Sequence, residues 1–317
     1  MHGGIIWYRD TRVLHGIAAV LHAIQAVVVL GLASWLNTTP DTQNHGVFAL
    51  TRQVAVWTPV NSAAVNASQH SMSMVGNYSI VQTFIDSGSL DVRYAILAFF
   101  CLASIDHACV ALSPMIWEVE LLAGQLRYVE YSISASIMSI CIAVEMGITD
   151  LYVLITIFVL MFATQILGMM ADLVSNPDGS MYWSPIQSIM GLYVWIIPHF
   201  AGWITCIAAY MPILDAFVSS SKWSSIQAPD FVKAIVFSQF FLFVSFGFVQ
   251  TYQLWTRSSI LSKNDRPYMH VDLQQQHVDL DLKSLNRTTE RLFITLSLVA
   301  KTLLAWLIMA PILTAAM

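Results

Sequence analysis

The most informative residue for chemistry is a lysine inside an apolar stretch. Lys301 stands in Leu292-Phe-Ile-Thr-Leu-Ser-Leu-Val-Ala-Lys301-Thr-Leu-Leu-Ala-Trp306, and no acid occurs between Leu292 and Met317. The stretch suffices to cross a bilayer as a helix, at about 20 residues for a ~30 Å core. A charge at such depth costs several kcal/mol and marks a functional site by default. Snorkelling to an interface is the alternative; the position, well inside both ends of the stretch, argues against it. An amine kept in so apolar a place suits a Schiff base with a carbonyl ligand. Such a linkage, when protonated, is a buried cation. It needs a carboxylate nearby to stay charged at neutral pH.

Four ionisable residues from four apolar segments can share one depth. With the N-terminus on the inner side, His22, His107, Glu130 and Lys301 each lie about ten residues from the inner end of their segment, roughly 15 Å in at 1.5 Å per residue. Glu130 is the candidate counterion, although Arg127, three residues earlier, offers a helix-end ion pair instead. His22 and His107 suit proton acceptance, because histidine titrates near neutral pH; either one can equally be a core histidine bonded to a helix carbonyl. Ser297 lies one turn before Lys301 on the same face, where a hydroxyl commonly bonds back to its own helix. Asp106 points about 100° away from His107 and faces another helix or an aqueous cavity. Asp106 and Glu145 are candidates for extending a relay beyond the histidines.

These residues require helices to hold them. The chain has 317 residues, 57% hydrophobic and 10% charged, against about 25% charged in a soluble domain. Its mean hydropathy is +0.66. The expected fold is an all-α membrane protein, a single domain over 1–317. Its seven transmembrane helices span Val13–Leu36, Val92–Trp117, Glu120–Met146, Leu151–Ala171, Ile186–Ile213, Phe231–Trp255 and Leu292–Met317. Helices are required because a lone strand cannot satisfy its backbone in lipid. Two loops are long. Residues 37–91 are rich in Ser, Thr, Asn and Val, a composition that suits short strands. They carry glycosylation acceptor patterns at Asn37, Asn66 and Asn77. Residues 256–291 are polar and repeat His270-Val-Asp-Leu at His277-Val-Asp-Leu.

Basic residues set the orientation. An inner N-terminus places Arg9, Arg12, Arg127, Arg257, Lys263, Arg266, Lys283, Arg287 and Arg291 inside, against Arg52, Arg93, Lys222 and Lys233 outside. The N-terminus is therefore expected to be cytoplasmic and the C-terminus extracellular. Residues 37–91 then face outward and 256–291 inward. No signal peptide is evident. The four cysteines lie in apolar segments, so no disulfide framework is implied. No metal-ligand, nucleophile-base or paired-carboxylate spacing suggests an enzyme, and nothing points to nucleic acid.

The chain resembles the heliorhodopsins, seven-helix retinal proteins of inverted topology. The resemblance is carried by Leu126-Arg-Tyr-Val-Glu130-Tyr-Ser-Ile-Ser-Ala-Ser-Ile-Met138 and by Glu290-Arg-Leu-Phe-Ile-Thr-Leu-Ser297-Leu-Val-Ala-Lys301-Thr-Leu-Leu-Ala-Trp306. Phe231 to Gln250, His22 and His107 add to it. It implies all-trans retinal on Lys301, Glu130 as counterion and a polar cavity near His22 and His107. It also implies a homodimer, and Tyr131, Ala135, Met138, Trp195, Phe246 and Ser297 around the chromophore. Ala135, Ala103 and Val244 depart from the serine, serine and asparagine frequent in the family. The implied function is a photoreceptor with a slow photocycle, Schiff-base proton transfer to an internal polar cluster and an unknown signalling partner. The alternative is a light-gated or light-driven proton conductor using Asp106, Glu130 and Glu145. A ligand-gated receptor or a transporter unrelated to retinal is a third reading.

Overall fold

The structure is a computed structural model that describes residues 2–38, 46–59, 73–75, 78–113, 120–175, 195–223, 229–264 and 271–316. Seven helices occur among them. They are α1 (His2–Thr38), α2 (Val92–Leu112), α3 (Glu120–Glu145), α4 (Leu151–Ser175), α5 (Ile196–Trp223), α6 (Asp230–Asn264) and α7 (Val271–Ala316). Each contains a window long and apolar enough to cross a membrane. The expected start of the fifth span, Ile186, lies outside the described residues, as do Asn66, Asn77 and His270. His277 is exposed on α7.

The helices start and stop where local chemistry dictates. Asp91 caps α2: its carboxylate accepts from the Arg93 backbone N–H at 3.0 Å and from the Arg93 guanidinium. Asp150 caps α4, accepting from the N–H groups of Tyr152 and Val153 at 3.0 Å each, which satisfies donors orphaned at a helix start. Helix α3 ends at Gly147, whose φ is +82°. The Ile148 N–H donates to Ala143 O and the Gly147 N–H to Val144 O. Those two bonds close the end of α3 around the left-handed glycine. The turn is short, so α3 and α4 are antiparallel neighbours.

Between α1 and α2 lies a three-stranded antiparallel sheet in the order β1-β3-β2, made of β1 (Val47–Pro59), β2 (Ser73–Val75) and β3 (Tyr78–Asp91). This agrees with the strands expected from the composition of 37–91. Thr51 N–H donates to Thr149 O at 2.9 Å, which fastens the sheet to the α3–α4 turn.

The polar 256–291 segment, expected to be a loop, is mostly helix. Thr256–Asn264 continues α6, and α7 begins at Val271 rather than Leu292. No glycine or proline occurs from Val271 to Ala310, so nothing in the chain breaks the helix at the edge of the apolar stretch. A hydropathy reading finds the apolar part of a helix, not its ends.

Helices α3 and α7 form the middle of the bundle. Within its apolar window α3 is 72% buried and α7 50%, against 22% for α4, α5 and α6. The two helices that carry Glu130 and Lys301 are thus the two least exposed to the surroundings after folding. A second polar network ties α4, α6 and α7 together. Buried Arg257 on α6 donates to Asp172 Oδ1 and Ser175 Oγ on α4, each at 2.8 Å, and to Asn286 Oδ1 on α7 at 3.0 Å. Breaking a buried pair by removing one partner costs about 3–5 kcal/mol, because the other charge stays stranded. Arg257→Leu is therefore expected to lower the thermal midpoint of the detergent-solubilised apoprotein sharply. The double variant with Asp172→Leu should recover much of the loss.

Candidate functional site

Lys301 and Glu130 meet at the centre of the bundle. Lys301 Nζ donates to Glu130 Oε1 at 2.7 Å and to Ser297 Oγ at 3.1 Å. Lys301 is 2% exposed and Glu130 6%, so little of this ion pair meets bulk solvent. Nζ also lies 5.2 Å from the centre of the Tyr131 ring, within the range of a cation–π contact. The Tyr131 hydroxyl donates to Phe293 O at 3.1 Å, which fixes the ring beneath the amine. Four residues separate Ser297 from Lys301, one turn of α7, and this places hydroxyl and amine on one face.

Arg127, the competing partner for Glu130, is used elsewhere. It pairs with Glu290 of α7, and its guanidinium lies 4.0 Å from the centre of the Phe293 ring. Glu130 is thereby left to Lys301. Its second oxygen, Oε2, is buried with no hydrogen-bond partner.

The histidines come together as the shared depth suggested. His22 and His107 stack with ring centres 5.8 Å apart and planes 9° from parallel. Both are buried. Gln25 sits beside His22, yet neither His22 nitrogen reaches a partner with hydrogen-bond geometry, and His107 Nε2 has none either. The sequence reading missed a third member, His15. Its Nδ1 lies 3.0 Å from Nδ1 of His107, and its Nε2 lies 3.5 Å from Glu290 Oε1. A signal was present: His15 precedes His22 by seven residues, and Glu290, Ser297 and Lys301 are spaced by seven and four. Both patterns mark one helical stripe. Asp106 does not point wholly away, since its Oδ2 lies 3.8 Å from His107 Nδ1. Glu145 is not part of this group. It ends α3, fifteen residues past Glu130, or about 22 Å along the axis.

Beside Lys301 a cavity, with about 850 Å³ of empty space counting its open mouth, lies between α3, α4, α5, α6 and α7. Tyr131, Ala135, Met138, Phe246 and Ser297 line it, as expected. Trp195 does not. It lies just before α5, where its indole donates to Ser258 Oγ at 2.8 Å and its ring packs with Ala171 and Leu254. Trp203, eight residues further along α5, lines the cavity instead. Its indole N–H donates to His199 Nε2 at 3.1 Å. A cavity that is mostly apolar with a few polar groups has the usual character of a small-molecule site.

Gly247 makes room for Trp203. A Cβ at position 247 would lie 2.3 Å from Trp203 Cζ2 and 2.7 Å from Cη2. Gly247→Ala must therefore push the indole into the cavity. Overpacking of this kind costs about 1–3 kcal/mol, readable as a lower melting temperature of the apoprotein. Gly247→Ala with Trp203→Phe should restore it.

Compared with known families, the chain matches the sequence model described as Heliorhodopsin over residues 11–261. That span holds His15, His22, Asp106, His107, Arg127 and Glu130; it ends forty residues before Lys301. The placement of Lys301 against Glu130 is thus an observation independent of the match. Among curated proteins, none matches the chain.

Proposed function

Because the chain belongs to the heliorhodopsin family, and is therefore an integral membrane protein of the retinal-binding rhodopsin class, we propose that it is a photoreceptor. It binds all-trans retinal as an imine on Lys301 Nζ. The family is one of light-sensing rhodopsins and not a classical enzyme family. The carrying observation is the buried Lys301–Glu130 pair, 2.7 Å apart, whose lysine lines the cavity. The residues fit the group. An aldehyde on an elongated apolar chain needs one amine at the end of a slot, and Met138, Met161, Phe243 and Phe246 supply apolar walls.

Retinal, when bound, would supply light absorption and a light-driven change of shape. The protein does the rest. Glu130 holds the positive charge at Nζ, Ser297 orients the amine, and Tyr131 places an aromatic face against the cation. His22 and His107 stand ready to take the proton from Nζ once Glu130 no longer stabilises the charge there. Proton transfer that ends on internal histidines moves no net charge across the bundle, which supports sensing over pumping. Glu145, too distant to continue the chain directly, supports the same reading. We further propose a slow photocycle, a homodimer, a cytoplasmic N-terminus and an extracellular C-terminus, with an as yet unidentified signalling partner. The excess of basic residues at one end of the bundle supports that orientation.

Purified apoprotein mixed with all-trans retinal should develop a visible band, and the absence of colour would end this reading. Illuminated whole-cell recordings should show no sustained photocurrent. A current that disappears in Glu130→Gln or Asp106→Asn would favour the proton-conducting alternative.

A further inference from the structure

The geometry points to Glu290 and His15 as positioning residues that leave His107 Nε2 as the proton acceptor by fixing the tautomers of two histidines. The inference rests on the reading of Lys301 and the histidines given above. A neutral imidazole has one N–H and one bare nitrogen, and the bond made by one fixes the role of the other. The Glu290 carboxylate, ionised against Arg127, can only accept. It faces His15 Nε2 at 3.5 Å, a long electrostatic contact in which its negative charge favours the N–H of His15 on Nε2. His15 Nδ1 is then bare. It lies 3.0 Å from Nδ1 of His107, a distance at which two bare nitrogens repel and one must carry hydrogen. The N–H of His107 is therefore on Nδ1. Asp106 Oδ2, 3.8 Å from the same nitrogen, favours that choice too. What remains is His107 Nε2 as a lone pair, buried and without a hydrogen-bond partner.

The arrangement also lets charge pass from His107 to His15 without large motion. A proton released at Lys301 Nζ forms an N–H bond at His107 Nε2. The Nδ1–H bond of His107 breaks as its proton bonds to His15 Nδ1. The imidazolium then sits on His15, against Glu290, and His107 is neutral again in its other tautomer. Charged or titratable groups around the pair are Asp106 and His107 from α2, Arg127 and Glu130 from α3, Glu290 and Lys301 from α7, and His22 on the same helix as His15. Glu290 is the carboxylate that both His15 and Arg127 share, so arrival of the positive charge loads the α3–α7 ion pair directly.

The test is ¹⁵N NMR of the full-length apoprotein with labelled histidine, which reads tautomers without retinal. The expected result is His107 with hydrogen on Nδ1 and His15 with hydrogen on Nε2. In His15→Phe, His107 should shift toward the Nε2–H form. In Arg127→Met/Glu290→Leu, which removes both charges together, the two tautomers should mix. Wild-type His107 with hydrogen on Nε2 overturns the inference, whether or not either variant folds. On the pigment, His15→Phe should slow light-driven proton uptake by the histidines at least about tenfold, a threshold below the ~100-fold lower end of a full general-base contribution. An unchanged rate overturns the relay. A chain that forms no pigment sinks the retinal reading alone, and the tautomer measurement still decides this one.

Discussion

Lys301→Ala is expected to give a folded protein that stays colourless with all-trans retinal. The amine is the group that would form the covalent bond, and no other lysine among the described residues lines the cavity. The variant also strands Glu130, 6% exposed, without its cation. Removing one member of a buried pair costs about 3–5 kcal/mol unless the survivor takes up a proton. The melting temperature should therefore fall at neutral pH and recover in Lys301→Met/Glu130→Gln, which leaves no charge behind. A preformed imine of retinal with a short alkylamine supplies the missing bond from outside. If the cavity persists, it should restore a visible band in Lys301→Ala. A coloured Lys301→Ala with retinal alone would move the linkage to another residue.

Glu130→Gln has the second large effect. Glutamine keeps the shape but not the charge, so the cation at Nζ loses its nearest anion, 2.7 Å away. A single opposite charge at this range changes the protonated fraction by about tenfold or more. The sign follows from which state the carboxylate favours. Without it the proton is held less tightly, so the visible band should be lost as pH rises and return as pH falls. At neutral pH the variant should absorb mainly in the near ultraviolet. Glu290→Gln offers the contrast. Glu290 belongs to Arg127 and His15, so its replacement should leave the dark band nearly in place while altering proton movement after light.

Charges in apolar helices are rare enough that Lys301 and Glu130 stood out in the sequence, and equal depth was enough to bring His22 and His107 together. The partner of Arg127 was harder to see. Three residues separate it from Glu130, yet it pairs with Glu290, 163 residues away. Local spacing cannot rank a neighbour on one helix against a residue on another. His15 escaped because it lies close to the basic end of α1, where a polar residue draws no notice. Trp195 shows the opposite error. Its type suits the wall of an apolar cavity, but its position just before α5 carries it past the cavity to Ser258, and Trp203 lines the cavity.

The fold followed the same logic. Apolar runs gave all seven spans, because lipid forces helices. Helix ends did not follow, because α6 and α7 continue as polar helix past Trp255 and before Leu292. Ser, Thr, Asn and Val in residues 37–91 pointed to strands. Their order, and the bond from Thr51 to Thr149 that docks them, depend on contacts across the chain that no local pattern encodes.

The central claim is tested most directly by trapping the bond. The pigment formed with all-trans retinal is reduced with borohydride, digested, and mapped by mass spectrometry. The account predicts a retinyl group on Lys301 and on none of Lys222, Lys233, Lys263 or Lys283. An adduct on any of those four, or a visible pigment that yields no adduct at Lys301, contradicts it.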